Sequence, residues 1–375
     1  MTEIQTESRK ALRELVDLIG EVDQRWASPE WNLLGADDVV NAHRALMHLL
    51  EGGLAGFFET DPAHPEFRRI VSPSRKFTGD NPDAIYWDAP IDAGRRYRVR
   101  GRMDGAIYVS LTIEVDTQDG SMASRTSGVL NDTRFDVDAD GRFEILLGGP
   151  PRARNWLPLE PGASRITTRH YYEEAAPAAA DPTRHAGLSI EVLDPAEAPA
   201  PPSDAGVAAG IRRVARFVRS RTLEQPPMAS REQPPFVSIV PNRFPKPVTP
   251  GAFGLAAFDA AYSMAPYVLG PGDALVIRGR WPRCRCANVS LWNRHMQTFD
   301  YANRSVSRNR RQTRLEPDGS FRMVLAHRDP GVPNWIDTEG RPFGLVFWRF
   351  MLPDGDIETP AAEVVALERV AAPPA

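Results

Sequence analysis

Leu12, Leu15, Val16, Leu18 and Ile19 fall at helical spacing and predict a first helix over residues 8–22. Val39, Val40, Ala42, Leu46, Leu49 and Leu50 predict a second over 37–51, ended by Gly52 and Gly53. From about Asn81 the pattern changes to short alternating runs divided by turn residues: RRYRVRG, AIYVSLTIEV, TRFDVDADGRFEILL, SRITTRHYY and LSIEVLD all read as strands. An Ala/Pro-dense stretch, PAEAPAPPSD, reads as extended linker. Val207, Ile211, Val214, Ala215 and Val218 then line one side of a predicted helix over 204–222, with arginines opposite. A Pro-rich crossing runs from Gln225 to Pro250, residues 251–263 read as another apolar helix, and strand alternation resumes from Tyr267 to about Met351.

The two strand regions repeat one another. VRGR at 99–102 returns as IRGR at 277–280, VSL at 109–111 as VSL at 289–291, and DGRF at 140–143 as DGSF at 318–321. NWL at 155–157 returns as NWI at 334–336, and Arg169 finds its counterpart in Arg349. Five ordered matches at a nearly constant separation of about 180 residues identify a duplicated unit. Each shared element has a physical reading. Asp-Gly supplies the positive φ of a tight hairpin. Gly101 and Gly279, inside strands, mark a bend or a close backbone approach. Trp156 and Trp335 are large anchors whose indole N–H needs a partner.

The chain is therefore expected to be mainly β: two related antiparallel jelly-roll or sandwich-like units with helical N-terminal and linker segments. The boundaries are a helical segment at 1–60, a first β repeat at 81–195, a Pro-rich linker with helices at 196–264, a second β repeat at 265–352 and a C-terminal tail at 353–375. The order Asp-Gly-x-Phe, Pro-rich turn, Asn-Trp-Leu/Ile and terminal strand Arg resembles the DUF1214 family, often found with DUF1254. The second copy fits better, through LEPDGSFRMVLAHRDPGVPNWIDTEG and GLVFWRF. The resemblance implies a jelly-roll-like β fold and carries no activity or catalytic residue with it.

Composition narrows the function only by exclusion. A net charge of −4 gives no general drive toward nucleic acid or anionic membrane. No run of about 18 apolar residues predicts a spanning helix, and the charged start does not read as a signal peptide. The two cysteines, Cys284 and Cys286, are too few and too close for a disulfide scaffold, so a reducing cytoplasm is the expected setting. Gly-x-Ser-x-Gly, Walker and dinucleotide fingerprints are absent from the sequence.

Polar residues carried by one copy alone are the better functional candidates. Strand parity puts Phe321, Met323, Leu325, His327 and Asp329 on one face, and the first copy has Gly149 where the second has His327. His327 is a candidate general acid or base, with Asp329 or Asp337 setting its tautomer; the competing reading is a core histidine bonded to backbone. Arg349, in a strand apolar on both faces, needs a carboxylate, with Asp329 and Asp337 as candidates. The segment 292–314 holds seven Arg or His residues, at 294, 295, 304, 308, 310, 311 and 314, interleaved with Trp292, Phe299 and Tyr301. Arg294 and His295 are its candidates for binding an anionic group; the competing reading is a solvated hairpin. Asn334, Trp335 and Arg349 complete the candidate binding set. His327 with Asp329, or Cys284 with Cys286, offers at most two metal ligands, so neither a metal nor a cofactor is assigned.

The sequence thus points to acid–base chemistry on a small polar or anionic, even sugar-like, molecule in the second repeat, a hydrolase or lyase if an enzyme. The alternative is a non-catalytic β-sandwich that binds a small molecule or carbohydrate. Neither nucleic acid nor membrane is an expected partner, and oligomeric state is left open.

Overall fold

The computed structural model describes residues 4–227, 230, 232–250 and 257–370. The chain forms two compact units. The first comprises Met1–Phe77, Tyr86–His170 and His185–Pro227, and the second Thr78–Ile85, Tyr171–Arg184 and Met228–Ala375.

Among the described residues, the α-helices of the first unit are α1 (Glu7–Trp26), α2 (Ala36–Gly53) and α3 (Asp204–Arg221). Thr6 caps α1 through the amide of Arg9, and Ser203 caps α3 through that of Gly206. Asp204 reaches from the start of α3 to the amides of Glu7 and Ser8, a carboxylate at a helix N-terminus. Helical winding does not stop at Gly53 as expected but continues as one π turn to Phe58. Gly53 permits this by packing tightly on Val214 and Phe217 of α3. Leu12, Val16 and Val40 lie exposed, because the stripe Ala11, Leu15, Leu18, Val22, Trp26 is the face α1 buries.

The β elements of the first unit run β1 (Arg68–Arg69), β2 (Ala84–Pro90), β3 (Tyr97–Arg102), β4 (Tyr108–Val115), β5 (Arg125–Asn131), β6 (Arg142–Leu147), β7 (Trp156–Leu157), β8 (Ala163–Tyr171) and β9 (Ser189–Val192). They form two sheets, ordered β1-β2-β8-β4-β5 and β7-β6-β3-β9. His170 of β8 lies against Trp87 of β2 and Phe143 of β6, so the sheets face each other across a common interior.

The second unit repeats this arrangement. Its strands are β10 (Ala260–Val268), β11 (Asp273–Gly279), β12 (Cys286–Trp292), β13 (Ser307–Asn309), β14 (Phe321–Ala326), β15 (Trp335–Asp337), β16 (Phe343–Met351) and β17 (Ala361–Ala366). The sheets are β10-β16-β12-β13 and β15-β14-β11-β17, the order of the first unit strand for strand apart from the extra β1. Most pairings are antiparallel; β6–β7 and β14–β15 pair in parallel. The duplication read in the sequence is a duplication of topology.

Two expectations change. Of the helix expected over 251–263, residues 251–256 lie outside the described residues, and 260–263 begin strand β10, paired along its length with β16. Strand pairing wins over the Ala-rich helical propensity there, and Ala261, Ala265 and Tyr267 face the interior. The stretch read as a tail carries β17, which pairs with β11 from Asp273 to Arg278 and matches β9.

The inner face of β10-β16-β12 and that of β14-β11 meet in one apolar cluster that includes Val289, Leu291, Phe321, Met323, Leu325, Val346 and Trp348. The repeated glycines are explained inside it. Gly279 pairs with Phe321 across β11–β14, and a Cβ at Gly279 would stand 2.8 Å from the ring. In the first unit, Gly101 pairs with Phe143 and a Cβ would stand 2.4 Å away. The aromatic of the Asp-Gly-x-Phe motif thus lies over the glycine of the Arg-Gly-Arg motif, and Phe321 stacks on Trp348 at 5.6 Å. The expected outcome for Gly279→Ala is a loss of about 1–3 kcal/mol, read by urea unfolding. Combining it with Phe321→Leu should cost less than the sum of the two single changes, because the clash needs the ring.

Candidate functional site

Strand parity divides β16 into two sets. Val346, Trp348 and Phe350 fill the interior, while Phe347, Arg349 and Met351 point to the other face of the sheet. On that outer face Arg349 has Asn288 of β12 as its cross-strand neighbour, and Asn288 in turn has Asn309 of β13. All three are buried. Segments 78–83 and 171–174 of the same unit run over them. Trp292 donates its indole N–H to Asp80 O (3.0 Å), and the Thr298 amide donates to Asp80 Oδ1 (2.8 Å).

Asp83 is the centre of this outer layer. Its Oδ1 accepts from Asn309 Nδ2 at 3.0 Å and its Oδ2 from Asn288 Nδ2 at 2.8 Å. Asn288 Nδ2 also donates to Asn81 Oδ1 (2.6 Å), which receives the Asp83 amide (2.9 Å). The Arg349 guanidinium lies over the rings of Phe347 (4.9 Å), Tyr262 (5.6 Å) and Tyr171 (5.9 Å) and donates to Gly79 O at 3.4 Å. Asp83, Arg349 and Asn288 line a small pocket together with Tyr171, Tyr172, Cys286, Ala287 and Met351.

Burial pushes the Asp83 carboxyl up to about 6. The two amides oppose this, the Glu173 charge adds to it, and the Arg349 charge opposes it. The carboxyl is therefore poised to exchange a proton close to neutrality. Burial holds the Cys286 thiol well above its ordinary value, so it faces the pocket as a neutral group. Cys284, half-buried, is pushed up to about 11 for the same reason.

The residues singled out in the sequence lie elsewhere, except Arg349. His327 sits one residue past the end of β14. Its Nδ1 meets Thr338 Oγ1 at 2.6 Å and its Nε2 meets Leu269 O at 3.3 Å. The expected pairing with Asp329 or Asp337 is not made. Asp329 is exposed and caps the Gly331 amide. Asp337 is buried and bonds Arg304 Nη1 (2.9 Å) and the Glu339 amide (2.8 Å). Nor does either aspartate meet Arg349, whose charge instead acts on Asp83.

Arg294 lies 4.0 Å over the Phe343 ring, and the His295 amide donates to Asn293 Oδ1 within a turn. Neither lines the pocket. Asn334 and Trp335 build the turn before β15. Asn334 takes a left-handed φ of 58° and bonds the Arg314 amide and the Arg314 and Arg322 carbonyls. Trp335 donates its indole N–H to Ala326 O at 3.1 Å. Asn155 (φ 55°) and Trp156, bonded to Gly148 O at 2.8 Å, do the same in the first unit.

Asp83, Tyr171, Tyr172 and Asn309 were missed because they stand outside the repeated motifs. Asn288 carried a signal: it precedes VSL where the first copy has Tyr108, a polar residue present in one copy alone.

Comparison with known proteins finds a family model that matches part of each repeat. The model for "Protein of unknown function (DUF1214)" matches two segments, 86–175 and 289–354, one in each repeat. The crystal structure of an uncharacterized protein from Burkholderia cenocepacia is similar at a TM-score of 0.82 and 27% identity, covering 96% of this chain and 98% of that one. The VPA0106 protein from Vibrio parahaemolyticus is similar at a TM-score of 0.47 and 12% identity, covering 86% of this chain and 100% of that one. No curated protein sequence matches. Among the described residues, no helix is long and apolar enough to cross a membrane.

Two outcomes follow from the geometry. The folded unit binds the Asp83 proton more tightly than the unfolded chain, whose carboxyl has its ordinary value of 3.8. That stabilisation is full below pH about 4 and is lost as pH rises through about 6, an effect of about 3 kcal/mol. Urea unfolding of wild type and Asp83→Asn across this range should differ by that slope. His327→Ala should cost about 1–3 kcal/mol of stability, since it leaves Thr338 without its imidazole partner.

Proposed function

Two segments of the chain match the DUF1214 family model, whose description assigns no function, so its activity has to be read from the pocket, and we propose that the second unit binds a small anionic organic molecule there and acts on it by acid–base chemistry. The observation that carries this reading is the meeting of a buried carboxyl poised near neutrality with a buried guanidinium in one small pocket. Arg349 holds the anionic group of the ligand. Asp83, resting ionised above pH about 6, takes a proton from the bound molecule and gives it back to the product within the same turnover. Asn288 and Asn309 hold the carboxyl in place while it does so.

Size limits the ligand. The cavity itself is about 10 Å³, room for about one water, far below the usual range of about 300–1,000 Å³ for small-molecule sites. A ligand therefore enters by displacing part of the lining, which a short carboxylate requires less of than an oligosaccharide. Proton abstraction of the lyase type suits the site better than hydrolysis through a covalent intermediate, because Cys286 is held in its protonated form. The reading gives neither nucleic acid nor a membrane a role. It assumes a reducing cytoplasm, with which the two unbridged thiols are compatible.

The test is a screen of short mono- and dicarboxylates, from formate to succinate, by ligand-observed NMR, followed by assay of any binder for turnover. Arg349→Gln should weaken binding at least tenfold, as the loss of a charge-assisted hydrogen bond of about 1.5–3 kcal/mol requires. Wild-type turnover should show an inflection near pH 6 that Asp83→Asn abolishes, with circular dichroism confirming that each variant is folded. Binding without turnover would leave a ligand-binding module. Binding unaffected by Arg349→Gln would remove the proposal.

A further inference from the structure

A second charge pair frames the pocket. Arg310, just after β13, meets Glu173 with two parallel bonds, Nε to Oε1 at 2.7 Å and Nη2 to Oε2 at 2.8 Å. The rest of its guanidinium is spent on backbone: Nη1 donates to Cys284 O at 3.0 Å and Nη2 to Arg285 O at 2.8 Å. Glu173 Oε1 also accepts the Ala287 amide at 3.2 Å. Both side chains are largely withdrawn from solvent, at 28% and 15% exposure.

The chain neighbours of these residues do the matching work at Asp83. Ala287 binds Glu173 and Asn288 binds Asp83; Arg310 binds Glu173 and Asn309 binds Asp83. Tyr172, before Glu173, donates its amide to Asp83 O at 2.8 Å, and Glu174, after it, accepts from Asn309 Nδ2 at 2.9 Å. Segments 172–174, 287–288 and 309–310 are thus each stitched to both centres. Moving the ion pair moves both amides that grip the carboxyl.

We propose that the Glu173–Arg310 pair is the positioning element of the Asp83 pocket, fixing the two amides that hold the carboxyl and governing how tightly that carboxyl keeps its proton. This deepens the acid–base reading above and rests on it for its functional meaning. The groups facing Asp83 are Arg349 from β16, Cys286 and Asn288 from β12, Asn309 from β13, and Tyr171, Tyr172 and Glu173 from the segment after β8. Of these, Glu173 and Arg349 bring charge, with opposite effects on the Asp83 proton. Arg310 neutralises Glu173 from the other side. Removing the Glu173 charge therefore loosens the Asp83 proton, and removing Arg310 tightens it.

The experiment is a carboxyl-carbon NMR titration of the full-length protein labelled at aspartate, with the Asp83 signal identified by its absence in Asp83→Asn. The wild-type midpoint should lie near pH 6. Glu173→Gln should lower it by about half a pH unit or more, and Arg310→Gln should raise it. Arg310→Lys, which keeps the charge but not the fork, should fall between wild type and Arg310→Gln. A pair that serves packing alone would lower the melting temperature of these variants and leave the midpoint in place, and that result overturns the proposal. If Glu173→Gln fails to fold, Arg310→Gln decides by the same criterion. Midpoints that move while no carboxylate binds would uphold the pair and sink the acid–base reading. A carboxylate that binds while Glu173→Gln leaves the midpoint unmoved would do the reverse.

Discussion

The outer face of the β10-β16-β12-β13 sheet is buried yet polar, and the site follows from that constraint. A buried amide, carboxyl or guanidinium without partners costs several times what a made hydrogen bond returns. Arg349, Asn288 and Asn309 therefore need a layer able to answer them, and the chain supplies it twice over, with 78–83 and 171–174. Asp83 is the carboxylate that Asn288 and Asn309 both grip. The pocket lies where this polar layer meets Tyr171, Tyr172 and Met351.

The same problem is solved differently in the first unit. The face of β8 that carries Arg165, Thr167 and Arg169 is also buried. Arg165 is paired with Asp88 and donates to Gly56 O at 3.0 Å, Thr167 donates to Glu114 at 2.6 Å, and Arg169 donates to Thr112 at 2.7 Å. Here the cover is helical: Arg165 lies 4.0 Å over Phe57 of the π turn, and Phe57 packs on Phe217 of α3. A duplicated sheet with a polar outer face has thus acquired two different covers, one of helix and one of extended chain. The matched arginines, Arg169 and Arg349, bond to a threonine hydroxyl in one copy and lie near a buried carboxyl in the other.

Much of the architecture was legible because it rests on local rules. Asp-Gly turns, alternating burial and a repeat at constant spacing all act within one strand pair, and even the close approach at Gly101 and Gly279 could be read from the strand interior. The site was legible only in part. Arg349 stood out as a charge in an apolar strand, but the carboxyl its charge acts on, Asp83, lies far away in the sequence, in a segment with no pattern of its own. Asn288 was within reach of the rule that one-copy polar residues are the functional candidates. That rule was applied to β14, where it led to His327, and not to β12. The helix expected over 251–263 failed in its described half for a comparable reason, since pairing with β16 decides the conformation of Ala260–Ser263 and the local composition does not.

The rim of a sandwich interior is a poor place for acid–base chemistry, and this accounts for the position of His327. The parity argument was sound: residues 321, 323 and 325 face the interior, and the imidazole follows them. That interior is already filled by Phe321, Trp348, Tyr267 and their neighbours, and it offers the histidine only Thr338 and the Leu269 carbonyl. A histidine engaged at both nitrogens has no atom left with which to meet a ligand proton. The outer face differs because its covering segments bring amides, carbonyls and carboxylates in abundance, so a charged group can be held there with a side open to a pocket. In a sheet packed on both faces, the layer that must satisfy polar groups is the one able to keep a group that changes its charge.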